Sequence, residues 1–223
     1  MAVSEIMSES PKVPKPTIER LAIYSRPLED LLEAGSPVVS SERLAILCGV
    51  NPAQVRKDLA YFGEFGIRGL GYEVKELLKA IRAILATDRR WSLCILGMGN
   101  LGRALVENEN FKRRGYIFVA AFDADNRKVG ERLACGLTIE PVAGIKDIVS
   151  KLHVDIGVIT TSQKGAQRAA DLLIDAGVRS VLNFTPAQVR VPSSCFLENE
   201  DIGLKLENLA YHLTRIRGAR ATK

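Results

Sequence analysis

Gly97, Gly99 and Gly102 stand at the spacing G-x-G-x-x-G. The run Ser92–Leu93–Cys94–Ile95–Leu96 before them reads as a strand, and Leu101–Gly102–Arg103–Ala104–Leu105–Val106 reads as the helix that follows. A glycine triplet in that strand–turn–helix setting suits a pyrophosphate. Gly97 permits the tight turn, Gly99 lets the backbone approach the phosphates, and Gly102 lets helix and strand pack closely. Together with Met98, Asn100 and Leu101 they offer free N–H groups and the positive end of a helix to an anion. About twenty residues further on, the strand at 116–122 ends in Asp123, placed to accept from a ribose hydroxyl. The competing reading is a tight βα turn that holds no ligand. The acid at the strand end favours dinucleotide binding, with Asp123 or its neighbour Asp125 on the ribose. Two carboxylates favour NAD(H) over NADP(H), because a 2′-phosphate would be repelled, although Arg127 and Lys128 act against that preference. Two more loops, one with Thr160 and Thr161 and one with Asn183, follow later strands at their carboxyl ends, where ligands of open α/β sheets bind.

A second chemistry lies in residues 40–72. Ser40 and Ser41 can cap a helix at 42–48, Gly49–Val50 makes a turn, and Asn51 with Pro52 starts a second helix at 52–62. That second helix buries Val55, Leu59 and Phe62 and exposes Gln54, Arg56, Lys57 and Tyr61. This is the helix-turn-helix plan, whose second helix enters the major groove. There Arg forks onto guanine and Gln onto adenine. Four glycines within residues 63–71, interleaved with Phe65, Ile67 and Leu70, fit a β-hairpin wing, with Arg68 suited to a narrow minor groove. A helical dimerisation module with a solvated basic face is the competing reading.

The elements that carry these residues make a two-part chain. Residues 1–16 are proline-spaced and polar and read as a flexible arm. Residues 17–88 read as a winged-helix domain, opening with a helix that Pro27 should kink or split. Residues 89–202 alternate strands and helices as a Rossmann-type NAD(H)-binding domain. Residues 203–223 form a terminal helix whose Leu204, Leu206, Leu209, Leu213 and Ile216 need a partner, and a second subunit supplies one. The fold class is therefore α/β, with an N-terminal winged helix-turn-helix, a Rossmann domain and a C-terminal dimerisation helix.

Composition supports an ordinary soluble protein. The 223 residues carry a net charge of +5 and 47% hydrophobic residues, so nucleic-acid binding must come from local arrangement rather than overall charge. No apolar run approaches the ~20 residues of a membrane span. No signal peptide is visible, which points to the cytoplasm. Cys48, Cys94, Cys135 and Cys195 lie far apart with no zinc or redox spacing, so reduced, buried thiols and no metal are expected. His153 and His212 read as packed or surface residues. A dehydrogenase needs a proton donor or acceptor beside the nicotinamide, and the sequence nominates none.

Gln54–Val55–Arg56–Lys57–Asp58–Leu59–Ala60–Tyr61–Phe62–Gly63, Arg68–Gly69–Leu70–Gly71–Tyr72, the segment from Trp91 to Gly99 and Leu182–Asn183–Phe184–Thr185–Pro186 closely resemble the Rex family of redox-sensing transcriptional repressors. The resemblance runs from about Ile18 to Ile216. It implies a homodimer that binds double-stranded operator DNA when NADH is scarce and releases it when NADH binds. It also implies that Arg56 and Lys57 contact the major groove and Arg68 the minor groove. The terminal helix would insert between the domains of the partner subunit. Arg26 and Asp201 match positions that in the family couple the DNA-binding and nucleotide domains. Two positions depart from the family pattern, Asn108 where a Tyr is common and Ile202 where an aromatic is common. Both lie toward the nicotinamide end, where NADH is told from NAD⁺. The alternatives from other classes are an NAD-dependent oxidoreductase with a fused interaction domain, and a structural DNA-binding protein with a constitutive nucleotide.

Overall fold

The chain divides between Arg89 and Arg90 into two compact units. The structure, a computed structural model, describes residues 13–63, 65–67 and 69–221. The arm expected at 1–16 therefore lies largely outside the described residues, and so does Arg68.

The first unit opens with helix α1 (Lys15–Glu33), two residues earlier than the sequence pattern suggests. The helix runs unbroken through Pro27. An interior proline costs ~3 kcal/mol. Tyr24 and Leu28 on either side of it are fully buried, and Leu31 nearly so. At ~1.5–3 kcal/mol for each such side chain, packing outweighs the lost backbone bond. Strand β1 (Val38–Val39) follows, then α2 (Ser41–Cys48) and α3 (Pro52–Ala60). The Ser40 hydroxyl accepts from the Arg43 N–H at 3.1 Å and the Asn51 side chain from the Ala53 N–H at 2.8 Å, so both helices start at side-chain caps. Gly49, at φ +65°, closes α2 in the left-handed conformation that glycine adopts without strain. Strand β2 (Tyr72–Glu73) pairs antiparallel with β1, and α4 (Val74–Ile84) completes the unit. Leu21, Tyr24 and Leu28 of α1 meet Leu44, Val55, Leu59, Leu78 and Ile81 in one core. The segment between α3 and β2 returns on itself through a bridge between Ile67 and Gly71.

The second unit contains β3 (Trp91–Leu96), α5 (Asn100–Val106), α6 (Glu109–Arg113), β4 (Tyr116–Asp123), β5 (Ile139–Pro141), α7 (Ile145–Lys151), β6 (Ile156–Ile159), α8 (Ala166–Asp175), β7 (Ser180–Asn183), β8 (Phe196–Asn199) and α9 (Ile202–Ala221). Six strands lie in the order β5-β4-β3-β6-β7-β8, every neighbouring pair parallel. This is the doubly wound dinucleotide order, and the order of strand addition reverses between β3 and β6. Alternation along each strand supplies both faces. Cys94, Leu96, Phe122 and Ile159 pack with Ile145, Val149, Ala170 and Leu173 on one side. Leu93, Ile95, Ala121 and Val158 pack with Val106 and Ile139 on the other. Strand β8 is an edge strand with exposed Phe196 and no long apolar run. All four cysteines are free thiols, and Cys135 is exposed where a buried thiol was expected. Along α9, Ile202, Leu204, Leu206, Leu209, Leu213 and Ile216 each expose about half or more of their surface.

Candidate nucleotide site and reading head

The glycine turn stands at the switch point between β3 and β6. Gly97 has φ +104°, and a Cβ there would lie 2.7 Å from the Thr160 carbonyl carbon and the Thr161 nitrogen. A Cβ on Gly102 would run into the Gly97 carbonyl oxygen. The Thr160 hydroxyl ties the two loops by donating to the Gly97 carbonyl at 2.7 Å. Gly99 differs from both: its φ is −82° and a Cβ would meet nothing within 4 Å. The chain fold needs glycine at 97 and 102, whereas nothing in the second unit occupies the side of Gly99 where a Cβ would stand. That vacancy is a cradle of the kind a pyrophosphate fills. Asn100 and the partly exposed Leu101 continue into α5, while Met98 is buried.

Asp123, 8% exposed, faces this turn. Its Oδ2 accepts from the Met98 N–H at 2.8 Å and from the Lys128 ammonium at 2.8 Å, and its Oδ1 accepts from the Asp125 N–H at 2.8 Å. Burial pushes the carboxyl up, but Lys128 and the two backbone donors outweigh it and hold it below the usual carboxylate range. A carboxylate offers about four acceptor positions, so one remains for a ribose hydroxyl. Asp125 is turned onto Arg127, whose Nη2 donates to Oδ2 at 2.8 Å. Between the two acids, Asp123 is the one seated against the glycine turn. Arg103 of α5 forks onto Glu131 at 2.6 and 2.7 Å, fastening the helix to the loop beyond the acids.

The later carboxyl-end loops are tightly knit. Asn183 is fully buried; its Oδ1 accepts from the Thr185 N–H and hydroxyl, and its Nδ2 donates to the Thr185 and Ala187 carbonyls and to Asn199 Oδ1. Its amide thus shapes the 183–187 loop, and its contact with a ligand would run through that loop. Beside it a cleft of about 250 Å³ is lined by Thr185, Gln188, Asn199, Asp201 and Lys205, among others. Thr161 is half-buried and donates its hydroxyl to the Ser162 carbonyl at 3.1 Å. Asp201 accepts from the Leu204 N–H at 3.3 Å and so sits as a cap on α9. Asn108, one of the two departures from the family pattern, caps α6 by accepting from the Asn110 N–H at 3.0 Å.

In the first unit α2, the Gly49 turn and α3 form the helix-turn-helix that the capping residues foretell. Lys57 is exposed and Tyr61 half-buried. Arg56 is exposed but latched, donating from Nη1 to the Ser41 hydroxyl at 2.8 Å and to Glu42 Oε1 at 3.2 Å. Arg26 is exposed on α1. Gln54 is drawn inward: its Nε2 donates to Asp58 Oδ1 at 2.8 Å.

Sequence reasoning passed over the residue that organises this head. Asp58 is 0% exposed and accepts from Thr17, from the Arg20 Nε and Nη2 at 2.6 and 2.7 Å, from the Tyr24 hydroxyl at 2.7 Å and from Gln54. Burial works to raise its pKa, but those donors, Arg20 first, bring it down to about 2. The Tyr24 hydroxyl is pushed above its ordinary range by burial and by the neighbouring carboxylate. The signal was available: Asp58 falls three residues after Val55 and one before Leu59, on the apolar face of α3. Among the described residues no group of His, Cys, Asp and Glu side chains has the arrangement of a metal site, and no helix is long and apolar enough to cross a membrane.

Comparison with known proteins matches both units. Residues 12–60 fit the family described as "Putative DNA-binding protein N-terminus", and residues 88–187 fit the family described as "CoA binding domain". The redox-sensing transcriptional repressor Rex of Syntrophobacter fumaroxidans is 52% identical over 203 residues, covering 91% of this chain and 97% of that protein. Among solved structures, the protein RSP in complex with β-NAD⁺ and operator DNA superposes with a TM-score of 0.89 at 32% identity, covering 96% of this chain and 98% of that one. RSP in complex with β-NADH gives 0.84 at 31% identity, covering 96% of this chain and all of that one.

Proposed function

The chain belongs to the redox-sensing transcriptional repressor Rex family, and from that premise we propose that it is a cytoplasmic homodimer that binds operator DNA and releases it when NADH binds. The observation that carries the reading is the pairing of two sites in one chain. One is an open glycine cradle with Asp123 beside it; the other is a helix-turn-helix presenting Arg56 and Lys57. Gly97 to Gly102 hold the pyrophosphate and Asp123 the adenosine ribose. The loops at Thr160–Thr161 and 183–187 border the nicotinamide end. NAD(H) acts as a signal whose two oxidation states differ in charge and shape at that end.

On the DNA side, Arg56 and Lys57 meet the major groove, and Arg68 of the wing meets the minor groove. Arg56 must leave Ser41 and Glu42 to do so, a modest cost for an exposed ion pair. The apolar flank of α9 is covered by the second subunit, which places two reading heads at the one-turn spacing of successive major grooves. NADH works only through a higher affinity for the dimer in which that spacing is wrong. The oxidoreductase reading finds no support, since the relatives are named as repressors.

The test is a pair of titrations against a fluorescent protein–operator complex, one with NADH and one with NAD⁺. NADH should release the DNA at far lower concentration than NAD⁺. Equal release by both, or turnover of NADH with a panel of carbonyl compounds, would overturn the reading.

A further inference from the structure

Gln54 occupies the first turn of α3, the turn that meets base edges in a helix-turn-helix. It is half-buried, and its amide is not free to rotate. Asp58, one helical turn on, accepts the Nε2–H at 2.8 Å while its remaining acceptor positions are filled by Thr17, Arg20 and Tyr24. A carboxylate bound to an arginine fork and held well below the usual range is ionised at neutral pH, so there it can only accept. Turning the Gln54 amide over would set oxygen against oxygen at hydrogen-bond distance with no proton between them. Among the described residues the Gln54 Oε1 has no partner, and one N–H is left on Nε2.

We infer that Asp58 fixes the sense in which Gln54 reads a base: the amide nitrogen is held inward, and the oxygen is presented to accept from an exocyclic amine. Guanine shows the major groove two acceptors, N7 and O6, and would need two free donors from Gln54, of which one is already taken. Thymine offers an acceptor and a methyl group, so on either base the one remaining N–H could be met but the oxygen would find no donor. Adenine and cytosine carry the amine that the free oxygen can take. Gln54 therefore selects adenine or cytosine on the strand it meets, and Asp58 is the positioning residue behind it. The inference rests on the proposed DNA-binding function and adds to it which base class one residue prefers.

The experiment uses the full-length protein and a duplex library with a randomised core. Wild type, Gln54→Ala and Asp58→Asn are each selected against it, and binding is then measured on single duplexes. Gln54→Ala should erase preference at one position per half-site, and the base selected there by wild type should be adenine or cytosine. Replacing that base by its analogue without the amine, purine for adenine or 2-pyrimidinone for cytosine, should weaken wild type about tenfold and leave Gln54→Ala nearly unaffected. Asp58→Asn presents either an oxygen or an NH₂ to Gln54, so it should relax the same position and no other. Should Asp58→Asn fail to fold, the base-analogue comparison in wild type and Gln54→Ala decides alone. Guanine or thymine at the position, or equal loss with the analogue in both proteins, overturns the inference while leaving DNA binding intact. A wild type that enriches no duplex overturns the proposed function itself, and this inference with it.

Discussion

Two buried aspartates, one in each unit, show how the same chemical group is put to different uses. Asp58 sits on the apolar face of α3 and Asp123 at the end of the apolar strand β4; both face a cation and both are held below the usual carboxylate range. Asp58 is sealed at 0% exposure with donors from four residues, which leaves no acceptor position for anything else. Asp123 retains 8% exposure, three donors and one open acceptor position beside an open glycine turn. Saturation makes a structural joint, and a single unfilled acceptor is open to the ribose hydroxyl that we propose for Asp123. What separates them is not the residue type or the charge but how many donors the surrounding chain supplies.

The largest effect expected from breaking this contrast is at the joint. Asp58→Ala leaves the Arg20 guanidinium without its partner in a largely buried position. Removing one member of a buried pair costs about 3–5 kcal/mol, which is a large share of what a unit of this size has. Circular dichroism should show loss of helix from the first unit at ordinary temperature. NADH binding, measured by fluorescence, should persist. The reverse separation is expected from Gly99→Val. With nothing within 4 Å of an added Cβ, the fold should be kept and its melting temperature barely moved. The valine then occupies the phosphate cradle, so NADH affinity should fall about a hundredfold or more, roughly 3 kcal/mol. Operator DNA should still bind and should no longer be released by NADH.

Acid sharpens the same comparison at smaller scale. The Asp58 carboxyl has an ordinary value of 3.8 and is held at about 2 in the fold. A depressed folded value means that the unfolded chain takes up the proton first. The stabilisation is therefore fully present above about pH 4 and disappears as pH falls through about 2. It amounts to about 2 kcal/mol. Urea denaturation of wild type at about pH 5 and about pH 2 should show this loss, and Asp58→Asn, which cannot titrate, should show a flatter dependence. Asp123 acts in the same direction.

The contrast also explains what the sequence could reveal. The glycine turn, the strand before it and the acid after β4 are local and carry backbone demands that only certain residues meet, so spacing alone exposed them. The caps at Ser40 and Asn51 are legible for the same reason. Partners distant in the chain left no such trace. The sequence shows Gln54 and Asn183 as polar side chains at the right places, but not the bond of Gln54 to the buried Asp58 or that of Asn183 to Asn199. Strand β1 has two residues and β8 has only Phe196 and Leu197 before two polar residues, so neither has the apolar run that marks a strand. Pro27 misled because the rule about prolines concerns the backbone bond, while Tyr24, Leu28 and Leu31 decide the outcome by burial.

The smallest effect, and the one that reaches across both units, concerns Arg26 and Asp201. Asp201 has a structural duty in the second unit, capping α9 through the Leu204 N–H. The family resemblance implies a second duty, coupling with Arg26, and we propose that the two pair in only one of the two states of the dimer. Coupling between two ligands is reciprocal: operator DNA must weaken NADH binding by the factor by which NADH weakens operator binding, typically worth about 1–3 kcal/mol. Asn caps a helix as well as Asp but carries no charge. Asp201→Asn should therefore leave the α9 start intact and change each separate affinity by less than about twofold, while the coupling factor falls about fivefold, roughly 1 kcal/mol. Arg26→Ala should give the same fall, and the double variant no more than either alone, because both remove one interaction. Measured as NADH affinity with and without saturating operator DNA, an unchanged factor in Asp201→Asn would leave that residue with its cap alone.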